Sequence, residues 1–378
     1  MRLEAPVPGD TLAAILAPFD ATPSDTLDAP LLQPLGVLLD LAGETLRERL
    51  FVVQGDGLEA CLRPDFTIPA LRAHIASGRP RGRYFYSGHA FLVAPRGSPR
   101  AEEFPQMGVE AFEPGDPADA DAEMAALAWR ASAAGGRDDL MLLLGDVGLF
   151  DAFIDALEVA PPLALRLKRA FSTPRRLRLE LANAMSGASP ADAPGGRLAA
   201  LLSGLSEAAA TGVLEEIWAM AGIEPVGGRA PAEIVHRLAE RAAFARAPRL
   251  TAAQADLTRR FLAVSGDPAR SLSEVAGLVV GVSPGLEAAR DRWDRRLAAL
   301  VRGGVPADRI RFSAAFGRAF GYYDGVLFEV RSAALGDDQP VAAGGRYDSL
   351  PARLGASLET GAVGCMVRPG RAWAGGMR

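Results

Sequence analysis

The side chains able to do chemistry are few and widely spaced. The two thiols, Cys61 and Cys365, form no CxxC pair. Reduced thiols are therefore expected, rather than a zinc ribbon or a disulfide framework. None of the three imidazoles, His74, His89 and His236, sits three or four residues from another imidazole or thiol, so no metal is expected. No GxxxxGK loop is present to cradle a phosphate, and no cofactor is expected. Glu110 is more informative. It follows Met107-Gly108-Val109 and precedes Ala111-Phe112. On an alternating strand its carboxylate would point inward, where burial demands a partner. A lone Asp, Thr or Gln near a turn, such as Asp65, Thr67 or Gln106, is by itself usually a cap or a solvated surface group. Tyr322 and Tyr323 can be core aromatics, and that role suits Tyr322 better.

The frame that must position these groups is large. The chain has 378 residues, 49% hydrophobic and 23% charged, which supports one big domain plus a smaller one. Its longest apolar stretches, 31–41 and 278–282, are too short or too interrupted to cross a bilayer. The start, Met1 to Pro6, lacks the basic and apolar regions of a secretory signal. A cytosolic protein without a membrane span is expected. A net charge of -5 supplies no electrostatic reason for a nucleic-acid partner.

Strand-like runs open the chain. Residues 50–53 and 58–62 flank Gly55-Asp56-Gly57, a hairpin signal. Runs at 83–86, 90–93 and 109–112 follow, with loops marked by Pro95, Gly97 and Pro99, which predicts a meandering antiparallel sheet. From about Ala118 to Gly303 the pattern is helical, apart from a strand candidate at 140–144. The segment 284–301 carries Ser283 placed to cap, Pro284 in the first turn and a stripe of Leu286, Trp293, Leu297 and Leu300, and Gly303-Gly304 stops it. Strands return at 310–312, 326–330 and 363–367. An α+β architecture follows, with a discontinuous sheet domain, 1–160 and 305–378, enclosing a mainly helical insert, 161–304.

Gly88 to Glu110 resembles motif 2 of class II aminoacyl-tRNA synthetases in its histidyl form. Leu62-Arg63-Pro64-Asp65-Phe66-Thr67 resembles that family's LRPE-x-T element. Residues 318–329, with Tyr322 and Tyr323, look like its histidine-specific R-G-L-D-Y-Y element, and Gly344-Gly345-Arg346-Tyr347-Asp348 matches its GGRYD. The resemblance covers the two sheet-forming segments but not the insert. It implies a class II antiparallel sheet flanked by helices and a pocket for free histidine. By position, Asp65, Thr67 and Gln106 would hold the α-ammonium and Arg318 the α-carboxylate. Glu110 and Tyr323, with Tyr322 beside it, would hold the imidazole. Asp65 stands where the family has Glu, one methylene shorter.

The nucleotide side departs from the family. Leu92 occupies the position of the motif 2 arginine that clamps the α-phosphate, and Ala94 that of an acidic residue. Loss of one such transition-state contact costs roughly 3 kcal/mol. Arg96 or Arg100 could replace it from the loop. The strand of motif 3 persists at 361–371, with Arg371 at the position of its arginine, and no anticodon-binding domain is expected after it. This profile is similar to that of the regulatory subunits of short-form ATP phosphoribosyltransferase. The resemblance implies a non-catalytic protein that joins a short-form catalytic subunit, is required for its activity in the first step of histidine biosynthesis, and conveys feedback inhibition by histidine. A dimer within a hetero-oligomer is implied, pairing near Ala29 to Pro34. The competing readings are a minimal histidine-activating enzyme that forms histidyl-adenylate, and a histidine sensor for an unrelated protein.

Overall fold

Alternating burial from Gly82 to Tyr86 in the strand Gly82–Phe91 and a run of buried side chains over Glu103–Glu113 mark the two longest strands among the described residues. The computed structural model describes residues 2–42, 44–55, 58–98, 100–113, 115–186, 205–221, 248–279, 283–317, 322–356 and 360–376. In chain order the strands are β1 (Asp25–Thr26), β2 (Leu32–Pro34), β3 (Val52–Gly55), β4 (Leu58–Leu62), β5 (Gly82–Phe91) and β6 (Glu103–Glu113). They continue as β7 (Leu140–Asp146), β8 (Ser265–Gly266), β9 (Ile310–Ser313), β10 (Val326–Ser332), β11 (Ala342–Arg346) and β12 (Gly361–Val367).

Among the described residues, nine strands form one sheet in the order β1-β5-β6-β12-β11-β10-β7-β9-β8. Pairing is antiparallel except for β1 with β5 and β7 with β9. Nearly every side chain of β6 is buried, so both of its faces are covered. The helix Pro117–Ala133 packs against β10, β11 and β12, and Pro284–Arg302 packs against that helix. Asp116 starts the first of these by accepting from the Ala118 backbone N–H at 2.8 Å, with proline in the first turn. Buried Asp121 on the same helix joins two further elements. It accepts from Arg296 at 2.8 Å and from Arg346 at 2.7 Å, tying helix 284–302 and β11 together.

Four findings differ from the sequence expectations. Residues 83–86 and 90–91 belong to a single strand, β5, because Ser87-Gly88-His89 pairs with Met107, Gln106 and Pro105 without a break, and Leu92 and Val93 lie beyond its end. The hairpin of β3 and β4 is real, but it joins β2 in a separate three-stranded sheet rather than continuing a meander. The run Ala342-Ala343-Gly344-Gly345-Arg346, with no β-branched or aromatic residue, is the buried central strand β11; its small side chains suit a position between two close neighbours. Ser283 flanks helix 284–302 without a side-chain capping bond, and Arg296 takes a buried place on the stripe beside half-buried Leu297.

Two compact units are present, one of residues 1–156 and 260–378, the other of residues 157–259. The stretch 161–304, expected as one insert, is thus divided: the helix 284–302 belongs with the sheet because Leu286, Trp293 and Leu300 are buried there and the Trp293 indole donates to Asp146 at 2.7 Å. The described residues of the second unit are helical. Leu163, Leu167 and Phe171 of helix Pro161–Phe171 are buried, as are Leu177 and Leu181 of Pro174–Ser186, and Arg166 pairs with Glu180 at 3.1 Å. Among the described residues no helix is long and apolar enough to cross a membrane.

Candidate functional site

The period of two along β6 puts Gln106, Gly108, Glu110 and Phe112 on one face. Pairing sets Glu110 opposite Tyr84 of β5 and Gly364 of β12. The Glu110 side chain is 2% exposed, and it is satisfied by hydroxyls. Its Oε1 accepts from Thr67 Oγ1 at 2.8 Å and from the Tyr86 hydroxyl at 3.4 Å, and its Oε2 accepts from the Tyr347 hydroxyl. Burial pushes the Glu110 carboxyl up to about 8; the Tyr347 and Thr67 hydrogen bonds hold it down in part, and the nearby charge of Asp65 adds to the rise. A carboxyl in this state can donate or accept near neutral pH.

Thr67 opens the helix Thr67–Ser77 without capping it, since its hydroxyl is turned to Glu110 instead. The helix stops at Gly78, whose φ of 64° is left-handed. Asp65 and Gln106 are buried, and the Gln106 side chain bonds to the Tyr86 hydroxyl. Tyr322 is buried in the apolar cluster with Tyr84, Phe112 and Tyr347, as its core reading expects, and half-buried Tyr323 packs against that cluster. The rings of Tyr322 and Tyr323 lie 6.0 and 6.3 Å from that of Tyr347, both edge-on. Arg318 lies outside the described residues.

Asp65, Thr67, Gln106, Glu110, Tyr322 and Tyr323 all line one cavity of about 590 Å³, so the structure brings together every described member of the expected set. The sequence reading does not include Tyr86 and Tyr347. Tyr347 sits in the GGRYD run, and its hydroxyl donates to Glu110 Oε2. Tyr86 could have been found from the alternation of Tyr84 and Tyr86 along β5, which aims both inward.

The same cavity has a second end. Leu92 and Ala94 line it, and the Leu92 side chain packs with Phe104 and Ala90 in an apolar cluster. Arg100, Arg331, Arg368 and Arg371 line it too. One wall therefore offers a neutral, hydroxyl-rich carboxyl site, and another is cationic.

This arrangement on a class II-type sheet matches known proteins. A family model described as histidyl-tRNA synthetase matches residues 19–214 and 207–369. The chain is 37% identical over 362 residues to the ATP phosphoribosyltransferase regulatory subunit of Mesorhizobium japonicum, covering 92% of each. It is 36% identical over 356 residues to the protein of the same name from Agrobacterium fabrum, covering 93% of this chain and 92% of that one. The chain belongs to the ATP phosphoribosyltransferase regulatory subunit family. The fold of this family member is histidyl-tRNA synthetase-like. A Bacillus halodurans structure described as an ATP phosphoribosyltransferase regulatory subunit/histidyl-tRNA synthetase superposes with a TM-score of 0.64 at 20% identity, covering 96% of this chain and 77% of that one. A histidyl-tRNA synthetase from a Nostoc species gives 0.59 at 15%, covering 96% and 69%. The expected α+β class II sheet flanked by helices is what this regulatory-subunit family member adopts.

Proposed function

We propose that this chain joins a short-form ATP phosphoribosyltransferase catalytic subunit, is required for its activity, and conveys feedback inhibition by binding free histidine in the Glu110 cavity. Catalysis resides in the partner. The observation that carries the reading is the buried Glu110 carboxyl, held by Thr67, Tyr86 and Tyr347 in a cavity of about 590 Å³, ample for one amino acid. An imidazole presents one donor and one acceptor nitrogen, and a carboxyl that titrates near neutral pH can meet either. Asp65, Thr67 and Gln106 are within the same cavity for the α-ammonium, and Arg318 is assigned the α-carboxylate. Leu92 in its apolar packing supports a regulator over a nucleotide-activating enzyme.

Histidine acts in this scheme by preferring one arrangement of the complex, and the coupling is reciprocal. Homodimer pairing within the hetero-oligomer fits the small β2-β4-β3 sheet, where Leu31, Leu32, Val52 and Val53 are exposed. The test is to mix the chain with a short-form catalytic subunit and assay phosphoribosyl-ATP formation with and without histidine. Activity that depends on this chain and falls with histidine is expected, and Glu110→Ala should lose the inhibition while keeping assembly. Inhibition that persists in Glu110→Ala removes the pocket assignment. Histidine-dependent exchange between ATP and pyrophosphate would instead establish a histidyl-adenylate-forming enzyme.

A further inference from the structure

The cationic end of the cavity is neutralised from within the chain. Arg100 pairs with Asp338, and Arg331 pairs with Glu329 at 2.8 Å and Asp337 at 3.4 Å. Arg368, at the end of β12, pairs with Glu4 at 2.6 Å, and both side chains are buried, 8% and 4% exposed. This last pair is unlike the others, because Glu4 comes from a segment laid along the start of β6. Leu3 bridges to Glu103 in parallel, the Glu103 N–H donates to the Arg2 carbonyl at 3.1 Å, and the Glu4 N–H donates to the Glu103 carbonyl at 3.1 Å. Arg2 is further tied to Glu102, whose carboxylate accepts from the Arg2 backbone N–H at 3.0 Å. The seat is shaped for the carboxylate: a Cβ on Gly370 would stand 2.7 Å from Glu4 Cδ.

The pairing leaves charge and hydrogen-bonding capacity over. Glu4 Oε2 and Arg368 Nε are buried without a hydrogen-bond partner among the described residues. Neighbouring Arg371, also buried, donates to the Pro340 carbonyl at 2.9 Å, and burial with Arg368 alongside pushes its guanidinium down to about 9. Two adjacent buried guanidiniums favour an anion strongly, and a buried pair broken on one side leaves an uncompensated charge.

We propose that Glu4 is a tethered counter-anion: the segment 2–4 seats it on Arg368 and cancels the charge that this guanidinium would otherwise present to the cavity, so that phosphate ligands are held weakly there until that segment is lifted. The device is separate from the histidine reading, since Glu4 lies outside the Glu110 group. Its test is titration calorimetry of inorganic pyrophosphate into the full chain. Glu4→Gln should bind on the order of tenfold or more tighter than the unsubstituted chain, and Glu4→Gln with Arg371→Gln should lose that binding. Glu4→Asp, which keeps the charge but shortens the reach, should fall between and serves if Glu4→Gln does not fold. Asp338→Asn, which removes an exposed carboxylate from the same rim, should not open the site. Folded Glu4 variants that take up no pyrophosphate, an unsubstituted chain that binds it as tightly, or an Asp338→Asn that opens the site as fully would each overturn the proposal. Histidine titrations of the same variants report on the other end of the cavity and should be unchanged.

Discussion

Glu110 of β6 and Gly364 of β12 face each other across an antiparallel pair, and the Glu110 carboxyl occupies the space that a side chain on Gly364 would need. A methyl group there would overlap Glu110 Oε2. Gly364→Ala should therefore displace the carboxyl from Thr67 and Tyr347 and abolish histidine binding. Overpacking of this kind costs about 1–3 kcal/mol, so the sheet should survive. Calorimetry with histidine and thermal unfolding separate the two effects. Normal binding in a folded Gly364→Ala would show that the carboxyl does not need that space.

The pH dependence of stability should carry the signature of Glu110. Its folded-state value, about 8, lies above the ordinary 4.5, so the folded chain holds a proton that the unfolded chain releases between those values. Stability contributed by this group is full below about 4.5 and is lost as pH rises through about 8. Glu110→Gln should flatten that decline and be the more stable protein above the window. Thermal unfolding across the range checks this, and parallel curves for the two proteins would refute it.

Tyr347→Phe removes the hydroxyl on Glu110 Oε2 and leaves a buried oxygen without its donor. A loss of about 1–3 kcal/mol is expected. Because that hydrogen bond helps hold the Glu110 carboxyl down, the window should also extend to higher pH. A destabilised variant whose pH profile is unmoved would argue that Tyr347 only fills space.

Asp121→Asn should be among the most damaging single changes away from the cavity. It removes the charge shared by Arg296 and Arg346, both buried, and breaking such a pair costs about 3–5 kcal/mol. Arg346 immediately precedes Tyr347, so histidine affinity should fall as well. Equilibrium denaturation measures the first effect and calorimetry the second; a cost within the range of an ordinary surface substitution would contradict the network.

Of the polar half of the cavity, residue pattern alone marked the inward aim of Glu110, and the family resemblance supplied Asp65, Thr67 and Gln106 by position. The structure sets Gln106 on the same face of β6 as Glu110 and Thr67 at the start of a helix. Local pattern also marked the hairpin at 52–62 and the helix 284–302, because the first carries its turn glycines and the second its first-turn proline and terminating Gly303 in sequence. The resemblance in four ordered motifs supplied the fold itself.

Partnership was decided elsewhere, by pairings between residues far apart in the chain. Tyr347 meets Glu110 because β11 and β6 both flank β12, and Gly364 makes room because register sets it opposite the carboxyl. β11, built of alanine and glycine, has no propensity to announce it; only close neighbours on both sides select such small residues. The same holds for Glu4 on Arg368 and Asp121 between two arginines, where burial and long-range contact turn ordinary surface residue types into internal charges. Glu110 thus had its inward aim set by the sequence through the period of the strand, whereas its protonation, its hydroxyl partners and the space it fills arise only when four other segments close around it.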